Sequence, residues 1–219
     1  MLSIISIDIG LKNLSICKEY FDYDKAKTII SPKKRYNKLG EAHDELKDYI
    51  NTVSCCGQTV FLDKVSLGEK KDMFNNKAFV NLIDYFDELA KKDIFRDVNI
   101  ILIEKQLKIN GVATTIMHHL HSWFLINFRT FKKVILYPSK NKTRILGAPL
   151  KVELEDGKTK KVDKAFRKKW SCIKTHDILT LREDEENLDL IFKKNKSKAD
   201  DLSDVIIQAL SYNVQKLLK

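Results

Sequence analysis

The chain has 219 residues, with 40 Lys+Arg against 30 Asp+Glu and a formal charge of +10. Its length suits one ordinary domain with a sizeable core, and 43% hydrophobic with 32% charged residues excludes a disordered, collagen-like or fibrous chain. No run approaches the roughly 18 apolar residues of a membrane span. The opening MLSIISIDIG has no basic flank and is broken by Asp8, and Cys17, Cys55, Cys56 and Cys172 show neither CxxC nor CxxH spacing. The expectation is a soluble protein of a reducing compartment, not secreted, with no membrane partner and no structural zinc.

Residues 2–9 (LSIISIDI) and 13–20 (NLSICKEY) read as two strands of a hairpin turned between Gly10 and Lys12, with Asp8 projecting at a strand end. The stretch 28–74 is weakly patterned, with an amphipathic piece near 41–51 and a lysine-rich loop near 64–72, and reads as a variable insertion in a single domain spanning 1–219. Residues 75–91 place Phe79, Leu82, Ile83, Phe86 and Leu89 at helical spacing. Asp97-Val-Asn-Ile-Ile-Leu-Ile-Glu104 is a β-branched run of the kind found in central strands, and it too ends in a carboxylate. An apolar helix over 112–128 follows, then a strand over 132–137 stopped by Pro138. Residues 151–162 predict a hairpin turned at Asp156-Gly157, 162–174 a helix, and 198–218 a last helix with Leu202, Val205, Ile206, Ala209 and Leu210 facing inward. Alternating strand and helix signals make this a mixed α/β chain.

The positive charge is concentrated. Twelve Lys/Arg and four Asp/Glu fall between Pro138 and Lys174, a net of +8 that leaves +2 for the rest. Lys160, Lys161, Lys164, Arg167, Lys168 and Lys169 dominate the segment, with Phe166 and Trp170 four apart among them. The aromatics suit one packed helix face, whereas the crowded like charges repel unless a polyanion meets them, so these six cations are the predicted nucleic-acid contacts.

Acids occur where the backbone should aim them at a common point. Asp8 and Glu104 end strands, and Asp200-Asp-Leu-Ser-Asp204 opens the last helix with Asp201 and Asp204 one turn apart. A plainer reading exists for Asp200, three residues after Ser197 in a capping arrangement that the helix dipole favours. Converging carboxylates repel unless they bind protons or metal, and an open set of hard oxygen donors suits Mg²⁺, with Mn²⁺ as a substitute. Two such ions about 4 Å apart can activate water and stabilise the leaving 3′ oxygen of a phosphodiester. His118, His119 and His121 lack the i, i+4 spacing of a zinc pair, and no metal is assigned to them.

Ser-Ile-Ile-Ser-Ile-Asp8-Ile-Gly, Ile-Ile-Leu-Ile-Glu104-Lys-Gln, Asn110 opening an apolar helix, Lys164-Ala-Phe-Arg-Lys-Lys-Trp-Ser171 and Lys198-Ala-Asp-Asp201-Leu-Ser-Asp204 stand in the order of the poxvirus Holliday junction resolvases. The chain resembles that family, itself similar to bacterial RuvC and the mitochondrial resolvases, over most of its length outside 28–74. The resemblance implies an RNase H-like fold, a central mixed β-sheet flanked by α-helices. It implies a homodimeric Mg²⁺-dependent endonuclease that nicks opposed strands of a four-way DNA junction, with Asp8, Glu104, Asp201 and Asp204 as metal-binding catalytic carboxylates. The family also uses a lysine near the scissile phosphate, and Lys164, Lys168 and Lys169 stand in the matching motif. The extra sequence before Glu104 and the 151–162 hairpin leave another large DNA virus open beside a poxvirus, with a cytoplasmic replication site expected. A two-fold junction suits an isologous dimer, and the 112–128 helix, with Ile116, Leu120, Trp123, Phe124 and Leu125, is either its interface or a core helix.

Three alternatives stay in view. The sugar-kinase, actin and chaperone ATPase superfamily opens similarly but needs a further glycine-rich loop, and this chain has 7 glycines and no Gly-Gly pair. A noncatalytic nucleic-acid-binding module has no use for all four acids. A broader structure-selective or RNase H-type nuclease shares the metal site.

Overall fold

The computed structural model describes residues 1–10, 12–69, 72, 76–107 and 109–219. Strands β1 (Leu2–Ile9), β2 (Asn13–Phe21), β3 (Gly57–Ser66), β4 (Ile100–Lys105) and β5 (Lys133–Pro138) form one sheet in the order β3-β2-β1-β4-β5. β1 pairs antiparallel with β2 and parallel with β4, and β4 pairs parallel with β5. The sheet is therefore mixed, and β1, β4 and β5 all end at the same edge. In α/β sheets the carboxyl ends of parallel strands are where ligand crevices form.

The side-chain period of two sorts β1 and β4 onto two faces. Ile5, Ile7, Ile101 and Ile103 pack into one core with the helices α3 (Lys77–Lys91) and α4 (Gly111–Phe128), centred on Phe86, Trp123 and Phe124. Ile4, Ile100 and Leu102 face the other way, toward Tyr137 and Tyr212. On that second face lies α8 (Ala199–Leu217), which is buried almost all round from Leu202 to Val214. The inward stripe expected for this helix is thus a whole buried cylinder. It is covered on its outer side by α6 (Lys164–Leu181) and α2 (Asp44–Ser54), which share a second apolar cluster with it. Short helices α1 (Tyr23–Lys27), α5 (Asn141–Arg144) and α7 (Glu185–Asp189) complete the chain.

The elements read from hydrophobic period occur where expected, including the β6 (Lys151–Glu153) and β7 (Thr159–Lys161) hairpin at Asp156-Gly157. Several expectations need correction. Within 28–74 the amphipathic piece forms α2 as expected, but the stretch also contains β3, an edge strand of the central sheet. Its side chains are mostly half-buried without clean alternation, as an edge permits, so no strand period shows in the sequence. Pro138 ends β5 as expected, whereas α6 runs to Leu181, seven residues past the predicted end. Ser197 and Asp200 make no cap: α8 follows Lys198 with no side-chain cap, and Asp200 pairs with Lys168. The turn residue Leu11, and Lys70 and Lys71 of the lysine-rich stretch, lie outside the described residues.

Candidate active site

Asp8 and Glu104 follow from register. Ile7 lies beside Ile103 in the parallel pairing, so the next residues, Asp8 and Glu104, continue together past the end of the ladder. Both sit at even positions of their strands, on the α8 face. Gln106 fixes Glu104, its Nε2 donating to Glu104 Oε2 at 2.5 Å and to the Ile9 carbonyl at 3.3 Å. α8 is held against the same strands by Gln208, whose Nε2 donates to Ser6 Oγ and the Ile7 carbonyl, both at 3.1 Å. Asp204 lies one turn before Gln208 on the same helix face, and so points at Asp8 and Glu104.

The side chain on which these acids meet is one that no sequence motif singles out. Lys142, in the short helix after β5, places its Nζ 2.5 Å from Asp8 Oδ1, 2.9 Å from Glu104 Oε1 and 3.3 Å from Asp204 Oδ2. Its side chain is only 7% exposed. The motif-matched lysines lie elsewhere: Lys164 and Lys168 line the cleft from α6, and Lys168 pairs with Asp200. Lys169 is exposed and does not line the cleft, and Lys160 and Lys161 are exposed on β7. Nothing local distinguishes Lys142 from its basic neighbours in Ser-Lys-Asn-Lys-Thr-Arg. Its position after a strand parallel to the Glu104 strand is the one signal the sequence carries.

Asp201 lines the same cleft, half-buried, and does not touch Lys142. The cleft encloses about 550 Å³. Asp8, Glu104, Asp201 and Asp204 line it, and so do the cations Lys105, Lys164, Arg167 and Lys168. Formally, three carboxylates around one ammonium leave two negative charges, and Asp201 adds a third. Burial, followed by the proximity of Glu104, raises the Asp8 carboxyl to about 7 despite the opposing pull of Lys142. Burial also raises Asp204 and Asp201, with Asp8 adding to both shifts. Burial alone would lower Lys142, but Asp204, Asp8 and Glu104 outweigh it and hold the ammonium charged well above the usual lysine range. Lys168 is raised by its bond to Asp200.

Among the described residues no three acidic, His or Cys side chains are spaced to hold one ion as they stand. The donor set nevertheless fits a hard divalent cation: three carboxylates from β1, β4 and α8 already converge on one positive centre within 2.5–3.3 Å. Asp8, Glu104 and Asp204 would hold such a cation, which would supply the positive charge that Lys142 now gives them.

The chain matches no protein-family model. It is 34% identical over 146 residues to the uncharacterized protein 170L of Invertebrate iridescent virus 6, over 62% of this chain and 57% of that protein. The match therefore spans little more than half of that relative. It is 26% identical over 219 residues to the uncharacterized protein 97L of Invertebrate iridescent virus 3, covering 95% of this chain and 98% of the other. Among solved structures it is similar to the Fowlpox virus resolvase in complex with substrate Holliday junction DNA, with a TM-score of 0.56, 18% identity and both chains fully covered. It is also similar to T. thermophilus RuvC in complex with a Holliday junction substrate, with a TM-score of 0.51, 12% identity and 98% and 95% coverage. The mixed sheet and its flanking helices thus share the RNase H-like fold of these two structures, the fold that the motifs imply.

Proposed function

We propose that this protein is a metal-dependent endodeoxyribonuclease that resolves four-way DNA junctions by nicking opposed strands during viral DNA recombination and concatemer processing. The observation that carries the reading is the convergence of Asp8, Glu104 and Asp204, from three separate elements, on one cation in a cleft also lined by Lys164, Arg167 and Lys168. An acid cluster of this kind recruits divalent metal, and the flanking cations of α6 suit the phosphates on either side of a cleaved bond. The likeness to two resolvase structures supports the same reading at the level of fold.

In this reading Asp8, Glu104, Asp201 and Asp204 hold Mg²⁺, two ions per site, with Mn²⁺ as a substitute. The bound metal supplies water activation and charge stabilisation at the leaving oxygen. A water oxygen attacks phosphorus, the P–O3′ bond breaks, and the products are a 5′-phosphate and a 3′-hydroxyl. Lys142 keeps the carboxylates gathered before metal arrives and afterwards neutralises a non-bridging oxygen of the scissile phosphate. Lys164, Arg167 and Lys168 grip neighbouring phosphates inside the cleft, while Lys160, Lys161 and Lys169 act outside it.

The whole of 1–219 acts as one resolvase unit, and the working form is a homodimer. α4 contains no Asp, Glu, Lys or Arg in 18 residues, and its outward side exposes Thr115, His118, Leu125 and Ile126. An uncharged face on so basic a body is where a second copy can approach without repulsion. No helix among the described residues is long and apolar enough to cross a membrane, and the cytoplasmic site of viral DNA replication is the proposed location.

The test offers the protein, with Mg²⁺, a mobile four-way junction, a linear duplex and an RNA/DNA hybrid. Symmetrically paired nicks in the junction alone are the expected result. Selective cutting of the RNA strand would replace this reading by an RNase H, and equal cutting of all three would replace it by a structure-tolerant nuclease.

A further inference from the structure

Residues 31–43 contain no helix or strand, yet they are fastened tightly to the segment that carries the site. The Asn37 side-chain oxygen accepts from the Leu39 and Glu41 amides at 2.9 and 3.0 Å. Gly40 turns the loop with a φ of 80°, against the Leu150 side chain. Tyr36 Oη donates to the Ile145 carbonyl at 3.0 Å, and the Ala42 amide donates to the Gly147 carbonyl at 3.0 Å, both just after Lys142. Leu150 and Lys151 donate their amides to the Leu39 carbonyl at 2.9 and 3.3 Å, where the β6–β7 hairpin begins. The loop therefore bridges the floor of the cleft and the base of the hairpin.

What this frame holds in place is unbalanced positive charge. Lys33, Lys34, Arg35 and Lys38 fall within six residues that contain no acid, and all four are exposed. Arg35 and Arg144 both lie within electrostatic reach of the Tyr36 phenol. On the hairpin, register sets Lys151 directly across from Lys161, a like-charge pair that disfavours the ladder. Among the described residues none of these cations makes an ion pair, although Lys47 nearby is matched by both Glu41 and Asp44. Arg35 donates to the Leu218 carbonyl at 2.9 Å and Glu45 accepts from the Lys34 amide at 3.3 Å, but no carboxylate pairs with these side-chain cations among the described residues, so a hydrogen-bonded loop and hairpin that gather like charges favour an anion laid across them. The loop is bonded to the Ile145 and Gly147 carbonyls just past α5, which carries Lys142, so a polyanion leaving the cleft along this segment would meet it.

We propose that the 33–38 loop and Lys151 extend the outer contact already assigned to Lys161 into a second DNA-contact surface that grips the phosphate backbone of the junction arm leading away from the site. This rests on the nuclease reading above. Because the loop is already ordered by its own hydrogen bonds, little conformational freedom is lost when the arm docks. The surface also gives the segment before β3 a function beyond filling space.

The test compares wild type with K33Q/K34Q/K38Q, and separately with K151Q/K161Q. The substituted groups are exposed and lie outside the catalytic cleft, and thermal melting checks the fold of each variant. For the loop variant the slope of log K against log salt should fall by about two to three, roughly one unit for each phosphate no longer neutralised. Hydroxyl-radical protection of one arm should shorten at its outer end, while single-turnover nicking at saturating protein stays unchanged. The hairpin variant should lose about one to two units of slope on the same arm. Unaltered slopes and footprints in both variants, with a wild type that binds and nicks, would overturn the inference alone and assign the surface to a different partner, such as an acidic protein. A wild type with no salt-dependent junction binding would instead remove the nuclease reading beneath it.

Discussion

Lys142 and Lys161 are both lysines of the basic stretch between Pro138 and Lys174, yet their surroundings are opposite. Lys142 has 7% of its side chain exposed and touches three carboxylates, whereas Lys161 is exposed on a hairpin directly across from Lys151. In the cleft, burial makes each charge depend on its neighbours: removing one uncovers the others in a medium that penalises them. On the outer surface water screens every charge, and deleting a cation subtracts only its own attraction to a polyanion. Chemistry should therefore be decided in the cleft, nearly independently of salt, and affinity on the surface, steeply dependent on it.

The largest effect expected from this separation is at Asp204. Asp204→Asn keeps the shape and removes a charge from the convergent set, so cleavage of a junction should fall by roughly a thousandfold or more while binding changes little. Asp201→Asn should behave in the same way. A parallel loss of junction affinity and of nicking, measured by gel shift in Ca²⁺ and by single-turnover rates in Mg²⁺, would show that the two regions are not separable.

Lys142→Met should have the next largest effect and is the sharper probe, since it touches stability as well as rate. Without the ammonium, Asp8, Glu104 and Asp204 face one another with no cation, which costs about 3–5 kcal/mol when one partner of a buried ion pair is lost. Melting in EDTA should register that loss, and Mg²⁺ should raise the Tm of this variant by more than it raises that of wild type. Nicking should fall by about a hundredfold, in the range for loss of one preorganised charge at a reacting oxygen. An unchanged melting temperature in EDTA would mean that Lys142 does not hold the carboxylates together.

These two sites also differ in how visible they are in the sequence. Asp8 and Glu104 are legible because each ends a β-branched run whose burial is set locally, and Asp201 and Asp204 because i, i+3 spacing fixes their common side. Lys142 is not, because its bonds to Asp8 and Asp204 join residues 134 and 62 positions apart, and nothing in Ser-Lys-Asn-Lys-Thr-Arg foretells burial. The same limit hides β3, an edge strand whose half-exposed residues carry no clean period. Asp200 misleads for the opposite reason: a local capping pattern is present, but a long-range partner, Lys168, takes the side chain. Turn chemistry at Asp156-Gly157 is strong enough to place the β6–β7 hairpin, yet the sequence does not connect it to the 33–38 loop, since the joining bonds are between backbone groups.

The smallest effect concerns pH, and its sign distinguishes the cleft from the surface again. The Asp8 carboxyl, raised by burial from its ordinary value to about 7, holds its proton more firmly in the fold than in the unfolded chain. Its contribution to the stability of the metal-free protein is therefore complete below about pH 4 and is lost as pH rises through about 7. Metal binding runs the other way, because the ligand must release that proton. Between about pH 5 and 7 the apparent Mg²⁺ affinity, read as the Mg²⁺-induced rise in Tm, should increase by up to tenfold per pH unit, and it should level off above about 7. The salt slope of junction binding, which counts phosphates neutralised on the outer surface, should stay constant across the same interval. A Mg²⁺ response flat from about pH 5 to 8 would mean that Asp8 is ionised throughout and that its carboxylate is balanced by Lys142 more fully than its burial implies.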